Sequence, residues 1–182
     1  MTTRGPSDHS RGVASVVCAA FDADGDAAIA TLQDRLRELG VRVPREPAHR
    51  PHITLSAAAA EPDEVAPVAA AIARDHAAVS VRLDRIGTFA RGSIVWLGPS
   101  GTELAGLQRD VHTALGAWPR AFGEHVDPDR WVPHCTLARR APRGVAVRLR
   151  DGFTPLTVRV SALATIVVGG RGDHALTPLV PR

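Results

Sequence analysis

The pentapeptide Pro-His-x-Thr-Leu occurs twice in this chain, at 51–55 and at 133–137. The residue frequencies of the chain itself give an expectation of on the order of 0.003 chance matches, so two matches are a strong signal. The two histidines, His52 and His134, lie 82 residues apart, and the apolar segments that begin each half recur at a similar distance. The sequence therefore predicts an internal duplication.

Each half has the pattern of a strand-helix-strand-helix-strand unit. In the first half, a Val-rich run at 13–21 predicts a strand, and a helical stripe that ends at Gly40 predicts a helix. In the second half, Ser100 and Glu103 fit a capping box before another helix. We expect an α+β fold of two pseudo-symmetric lobes from a duplicated βαβαβ unit. Mostly antiparallel sheets would face each other across a central cleft, with the helices outside.

Composition limits the class of protein. The 182 residues suit one bilobal domain at 13–182, with halves at about 13–90 and 93–182, behind a flexible tail at 1–12. No apolar run is long enough to span a membrane, and the only two cysteines, Cys18 and Cys135, give no disulfide framework. We expect a cytoplasmic monomer.

The charge permits a nucleic-acid partner without requiring one. The net charge is +3, and all 22 basic residues are arginine, as the drift of a GC-rich genome would also produce. Arginines lie close to both repeats, where guanidinium groups would suit phosphate. They are Arg42, Arg45 and Arg50 before the first repeat, and Arg139, Arg140 and Arg143 after the second.

The alternation of side chains along a strand predicts which residues of the repeated motif lie on the same face. Residues i and i+2 share a face, so His52 and Thr54 point one way, and His134 and Thr136 do the same in the second half. If the halves face each other, these four polar side chains meet in one cleft. One imidazole can then remove a proton while the other donates one, and the hydroxyls can hold phosphate oxygens, with Arg139 as a further candidate donor.

Other readings of these residues are weaker. A single His-x-Thr would more often be a hydrogen-bonded core histidine, but the duplication argues against that. No carboxylate or second histidine stands at a spacing typical of zinc ligands, so we predict neither a metal nor another cofactor. Cys135 points away from His134 on a strand and makes a poor nucleophile pair with it. The remaining histidines fit surface or capping positions, and Phe21 or Phe89 could stack on a base.

The sequences HITL and HCTL, with Arg139 five residues after the second histidine, resemble the two-histidine phosphoesterase superfamily, in particular its bacterial 2'-5' RNA ligase and cyclic phosphodiesterase branch. The resemblance covers about residues 13–181. It implies that His52 is the proton donor and His134 the proton acceptor, and that Thr54, Thr136 and Arg139 bind phosphate. The stretch SAAAAEP after the first motif differs from the aromatic-glycine continuation of that branch.

The resemblance implies a metal-independent enzyme that opens a 2',3'-cyclic phosphate at an RNA end to a 2'-phosphate, with reversible 2'-5' RNA ligation to a 5'-hydroxyl end as a related reaction. One alternative is a phosphodiesterase for a small cyclic nucleotide or ADP-ribose cyclic phosphate. The other is a nucleotide- or RNA-binding module without turnover, against which the two intact histidines argue.

Overall fold

A computed structural model describes residues 13–41, 43, 50–90, 93–169 and 173–181. Within them, seven strands and four α-helices follow the predicted order, with β-α-β-α-β occurring twice before a last strand. The strands are β1 (Ser15–Phe21), β2 (His52–Ala58), β3 (Val79–Phe89), β4 (Ile94–Pro99), β5 (Cys135–Arg139), β6 (Leu156–Val167) and β7 (Asp173–Pro178). The helices are α1 (Ala23–Glu38), α2 (Pro62–Asp75), α3 (Ala105–Ala114) and α4 (Val145–Arg150), and short 3-10 helices lie at Leu115–Ala117 and Gly123–Val126. The tail predicted at 1–12 and the junction of the halves at 91–92 lie outside the described residues.

The end of α1 is set by Gly40, as the sequence predicts. Gly40 has a φ of +79°, a left-handed conformation that glycine adopts without steric cost. The turn brings the Val41 amide to the Leu36 carbonyl at 2.9 Å, the closing hydrogen bond of a Schellman motif. At the other end, the Asp22 side chain accepts a hydrogen bond from the Gly25 amide at 2.9 Å.

The capping box predicted at Ser100 and Glu103 is wrong. Helix α3 begins only at Ala105, and no side chain caps it. The Ser100 amide and hydroxyl instead donate to the Asp84 carboxylate on β3, at 2.9 and 2.6 Å. These hydrogen bonds are the main reason why the pKa of Asp84 is lowered. Ser100 stays with the β3–β4 hairpin because that hairpin offers a charged acceptor.

The strand pairings preserve the symmetry of the duplication. The sheet runs β1-β2-β5-β4-β3-β6-β7, and β1 also pairs with β6, so the first six strands form a closed circuit of antiparallel pairs. Exchanging β1 with β4, β2 with β5 and β3 with β6 converts every pair in that circuit into another pair of the same circuit. The α+β fold is therefore confirmed. The sheets expected for the two halves are joined into one, because β2 pairs with β5 and β3 with β6.

Both motif strands carry a bulge at the same point. Along β2, Thr54 pairs with Cys18 but Ser56 pairs with Val17, which leaves Leu55 as an extra residue. Along β5, Thr136 and Ala138 pair with consecutive residues of β4, which leaves Leu137 extra. A bulge reverses the in-out alternation beyond it. The residues two positions after each bulge therefore turn back to the face that carries the motif histidine.

The helices cover the opposite face of the sheet. Ile53, Leu55, Cys135 and Leu137 are each at most 1% exposed and belong to the main core. Helix α1 packs on β5 and β6, α2 on β6 and β7, α3 on β2, and α4 on β3. None of the described helices has the length and apolarity needed to cross a bilayer. With the helix face filled by apolar side chains, the polar residues of both motifs face the other way.

Candidate active site

The four motif residues line one cleft of about 640 Å³. His52 and Thr54 lie on β2, whereas His134 immediately precedes β5 and Thr136 lies on it. All four side chains are half-buried, whereas the residues between them are buried on the helix face. The structure therefore brings together the residues that the sequence grouped by alternation.

The two motifs meet at the centre of the pseudo-symmetry. Ile53 and Cys135, the middle residues of the two motifs, are direct partners in the antiparallel β2–β5 pair. In such a pair, the preceding residue of one strand lies beside the following residue of the other. Each motif histidine is thus placed beside the threonine of the other motif.

The same backbone contact orients both imidazoles. His52 Nδ1–H donates to the Arg50 carbonyl at 2.9 Å, and His134 Nδ1–H donates to the Val132 carbonyl at 2.8 Å. A carbonyl oxygen only accepts, so Nδ1 must carry the proton in each ring. Nε2 is then the nitrogen whose protonation can change during a reaction.

Arg50 contributes to the frame of the site. Its guanidinium donates to the Phe21 carbonyl at 2.9 Å and pairs with the Asp26 carboxylate at 2.7 Å. Arg50 thereby fixes the peptide whose carbonyl orients His52. Of the arginines that precede the first motif, Arg42 and Arg45 lie outside the described residues.

Aromatic rings surround His134. The Phe89 ring meets it edge-on at a centroid distance of 4.8 Å, and the Trp96 ring lies 6.3 Å away. Burial is the largest influence on the pKa of His134 and lowers it. The hydrogen bond to Val132 opposes this effect, and the nearby His52 and Arg139 add to it. The neutral form of His134 is therefore favoured, as a proton acceptor requires.

The threonine of the first motif is held from both sides. Its hydroxyl lies 3.7 Å from the thiol of the buried Cys18, its partner on β1. The Trp131 indole N–H donates to the Thr54 carbonyl at 2.9 Å, which ties the segment before the second motif to the first motif. The approach of that segment also depends on Gly98, where an added Cβ would lie 2.4 Å from the Pro133 carbonyl oxygen.

Arg139 reaches the cleft because of the bulge at Leu137. Simple alternation would place Arg139 on the helix face with Cys135 and Leu137. The register shift turns it to the face of His134, where it lines the cleft, while Ala138 is buried in the main core. Among the described residues, no carboxylate lies within ion-pair distance of Arg139.

Several cleft residues were not predicted from the sequence. Phe122, His125 and Arg130 line it from the segment between α3 and β5. Of the two phenylalanines considered for stacking, Phe89 lines the cleft, whereas Phe21 is 1% exposed and belongs to the core. The segment has no regular periodicity, and its position depends on contacts with distant strands. Local sequence therefore offered no signal for it.

The described residues contain no group of three or more His, Cys, Asp or Glu side chains placed to hold a metal ion. The thiol of Cys135 is fully buried, and burial raises its pKa to about 12. The groups that can exchange protons in the cleft are therefore imidazoles. Two of them, two hydroxyls and one guanidinium can act together on a single anionic group.

Known structures share this architecture. E. coli LigT in its apo form is 18% identical, with a TM-score of 0.63, and the match covers 94% of this chain and 99% of LigT. TT0787 of Thermus thermophilus is 20% identical, with a TM-score of 0.64 and coverages of 93% and 99%. The MHV ns2 PDE domain is 16% identical, with a TM-score of 0.50 and coverages of 85% and 96%. At these identities the likeness establishes the fold.

Among proteins with curated functions, none matches the sequence significantly. The family assignment rests on the sequence profile of the 2'-5' RNA ligase superfamily, which matches residues 26–172 and so covers both motifs. The chain therefore belongs to the 2'-5' RNA ligase superfamily of two-histidine phosphoesterases.

Proposed function

We propose that this protein is a metal-independent phosphodiesterase that opens a 2',3'-cyclic phosphate at an RNA or nucleotide end and leaves a 2'-phosphate. The observation that carries the proposal is the pair of imidazoles, one from each half, that line one cleft with the same Nδ1 contact. Membership of the family indicates that the substrate is a phosphoester. In addition, E. coli LigT, which shares the fold, has been crystallised with 3'-AMP, a nucleoside monophosphate.

In the proposed reaction, His134 is the base and His52 the acid. Neutral His134 takes a proton at Nε2 from a water molecule, and the water oxygen bonds to phosphorus. The bond from phosphorus to the 3'-oxygen breaks, and protonated His52 delivers its Nε2 proton to that oxygen. The product has a 2'-phosphate and a 3'-hydroxyl, and proton exchange with solvent resets both rings. The lowered pKa of His134 supports this assignment because it favours the neutral form.

Thr54, Thr136 and Arg139 would hold the non-bridging phosphate oxygens. Hydroxyl and guanidinium donors stabilise the charge that gathers on these oxygens in the transition state. If a 5'-hydroxyl end replaces water as the nucleophile, the same ring opening joins two strands through a 2'-5' bond and leaves a 3'-hydroxyl.

The proposal is tested with wild type, His52→Ala and His134→Ala on cyclic-phosphate-ended RNA, 2',3'-cyclic nucleotides and ADP-ribose cyclic phosphate. Each variant should lose about 10²–10⁴ in kcat, the usual contribution of a general acid or base. A nitrophenyl phosphodiester, whose leaving oxygen needs no proton, should partly rescue His52→Ala but not His134→Ala. Wild-type activity should survive EDTA.

His174→Ala is the matched control, because that histidine is exposed on β7 and pairs with Asp63 away from the cleft. It should retain full activity. Full activity in both motif variants would refute the proposal. Rescue of His134→Ala alone would reverse the two roles, and loss of activity in EDTA that zinc restores would refute the metal-free chemistry. The substrate with the highest kcat/KM in this panel decides whether the protein acts on RNA ends or on small cyclic phosphates.

A further inference from the structure

The pseudo-symmetry of the cleft is broken at one position. Arg139 and Ala57 occupy equivalent places, each two residues beyond its bulge and each on the face of its motif histidine. Arg139 is exposed at the cleft, whereas Ala57 is 2% exposed in a small cluster with Cys18 and Ala164. The first half thus lacks a counterpart of the arginine.

A segment of the second half covers this position. Ala121 packs against the small cluster that contains Ala57. Beside it, the Ala59 amide donates to the Pro119 carbonyl at 2.7 Å, and Arg120 forms an antiparallel bridge with Ala58. Residues 119–126, here named the rim segment, therefore lie where a second arginine would otherwise reach the cleft.

The rim segment is fixed at its far end as well. The buried Gln108 side chain donates from Nε2 to the Val126 carbonyl at 2.8 Å and to the Leu55 carbonyl of β2 at 3.2 Å. Arg120 and Asp127 form an ion pair, and His112 approaches Asp127 at 3.6 Å. One end of the segment is thus bonded directly to the end of β2 and the residue after it, and the other end is linked to β2 through Gln108, so the tip is held in place before any ligand binds.

The tip presents an aromatic ring to the cleft. Phe122 lines the cleft and is 40% exposed, and it is the one exposed ring among the seven Phe and Trp residues, all of which are described. The charge beside it is balanced, because Arg130 pairs with Glu124. The charge of Arg130 is therefore offset, in contrast to that of Arg139, which has no carboxylate within ion-pair distance among the described residues.

Strand direction separates Arg139 from the rim segment. In the antiparallel β2–β5 pair, Ile53 lies opposite Cys135. From that point, β5 runs to Arg139 in one direction, and β2 runs to Ala57, beneath the rim segment, in the opposite direction. A ligand whose phosphate lies at the motif residues would have a cation on one side and an aromatic face on the other.

We propose that Phe122 is the platform on which the nucleobase of the substrate stacks, so that the cleft takes a nucleoside phosphate in one orientation, with the phosphate towards Arg139 and the base towards the rim segment. The inference rests on the proposed function and narrows its substrate class to phosphates that carry a planar base. An exposed ring whose position is fixed before binding suits such a role. Every base offers a π-face, and the ring loses little conformational freedom when a base stacks on it.

The test compares two cyclic phosphates that differ only in the base: adenosine 2',3'-cyclic phosphate and the methyl riboside 2',3'-cyclic phosphate. The readout is the ratio of their kcat/KM values in wild type, Phe122→Ala and Phe122→Trp. Stacking of one base on an aromatic side chain predicts that Phe122→Ala lowers the ratio roughly 5- to 150-fold. Phe122→Trp, which keeps an aromatic face, should preserve it. Val147→Ala is the control, since Val147 is 60% exposed on α4 and does not line the cleft.

An unchanged ratio in Phe122→Ala, or an equal loss with both substrates, would overturn the inference. A second measurement keeps it separate from the proposed function. Equilibrium binding of adenosine 2'-phosphate and of ribose phosphate to wild type and Phe122→Ala requires no turnover. If wild type hydrolyses neither cyclic phosphate, the proposed function fails. A selective loss of adenosine 2'-phosphate binding in Phe122→Ala would still support the platform, and equal binding by both proteins would refute it.

Discussion

Gly87 on β3 lies directly beneath the ring of Trp96, its partner on β4. A Cβ added at Gly87 would lie 2.0 Å from Cζ2 of that ring and 2.4 Å from Cε2. Carbon atoms in contact are normally about 3.5–4.0 Å apart. The substitution Gly87→Ala therefore forces the ring to move by more than an ångström, although Trp96 is only 9% exposed.

The cost follows from the packing. Inserting a methyl group into a filled core usually destabilises by about 1–3 kcal/mol. For a domain of this length, each kcal/mol lowers Tm by about 2–4 °C, so we expect a decrease of about 2–12 °C. The displacement should also reach the site, because the Trp96 ring stacks on Phe89 at 5.3 Å and Phe89 contacts the His134 ring. A misplacement of about 1 Å can cost 10²-fold in rate.

The assay is thermal unfolding followed by circular dichroism, together with kcat/KM. Gly106→Ala is the matched control. Gly106 is exposed in helix α3, and an added Cβ would meet nothing within 4 Å. Alanine there should not lower Tm and should stabilise by at most about 1 kcal/mol, because Gly106 is the second residue of the helix and glycine has its full cost only in a helix interior. The same change from glycine to alanine should therefore lower Tm at Gly87 but not at Gly106. Equal Tm values for Gly87→Ala and wild type would refute the placement of the Trp96 ring.

Two further predictions concern titration. Because burial lowers the pKa of His134, its neutral form persists as the pH falls below the ordinary imidazole value, so the acid limb of kcat/KM against pH should lie below about 6.5. An acid limb above that value would contradict the assignment of His134 as base. Because burial raises the pKa of Cys135 to about 12, its thiol should resist iodoacetamide at pH 8 in the folded protein and react after unfolding in urea. Mass spectrometry of the Cys135 peptide decides this, and an adduct in the folded protein would count against the burial.

The sequence by itself determined the duplication and the identity of the paired motifs. Two pentapeptides 82 residues apart, each flanked by similar patterns, specified a βαβαβ unit used twice. The period-two alternation of a strand then grouped His52 with Thr54 and His134 with Thr136. These inferences held because they depend on local periodicity, which a chain carries wherever it folds.

Only the tertiary structure decided what surrounds these four residues. The bulge that turns Arg139 into the cleft is a property of the β4–β5 pairing, since the extra residue exists only relative to a partner strand. The hydrogen bonding of Ser100 was likewise decided by the carboxylate of a residue 16 positions earlier, on the neighbouring strand. Phe122 faces the cleft because Gln108 and β2 hold the ends of an irregular segment. Contacts between residues far apart in sequence leave no periodic trace in it, so the position of this part of the cleft wall had to come from the fold.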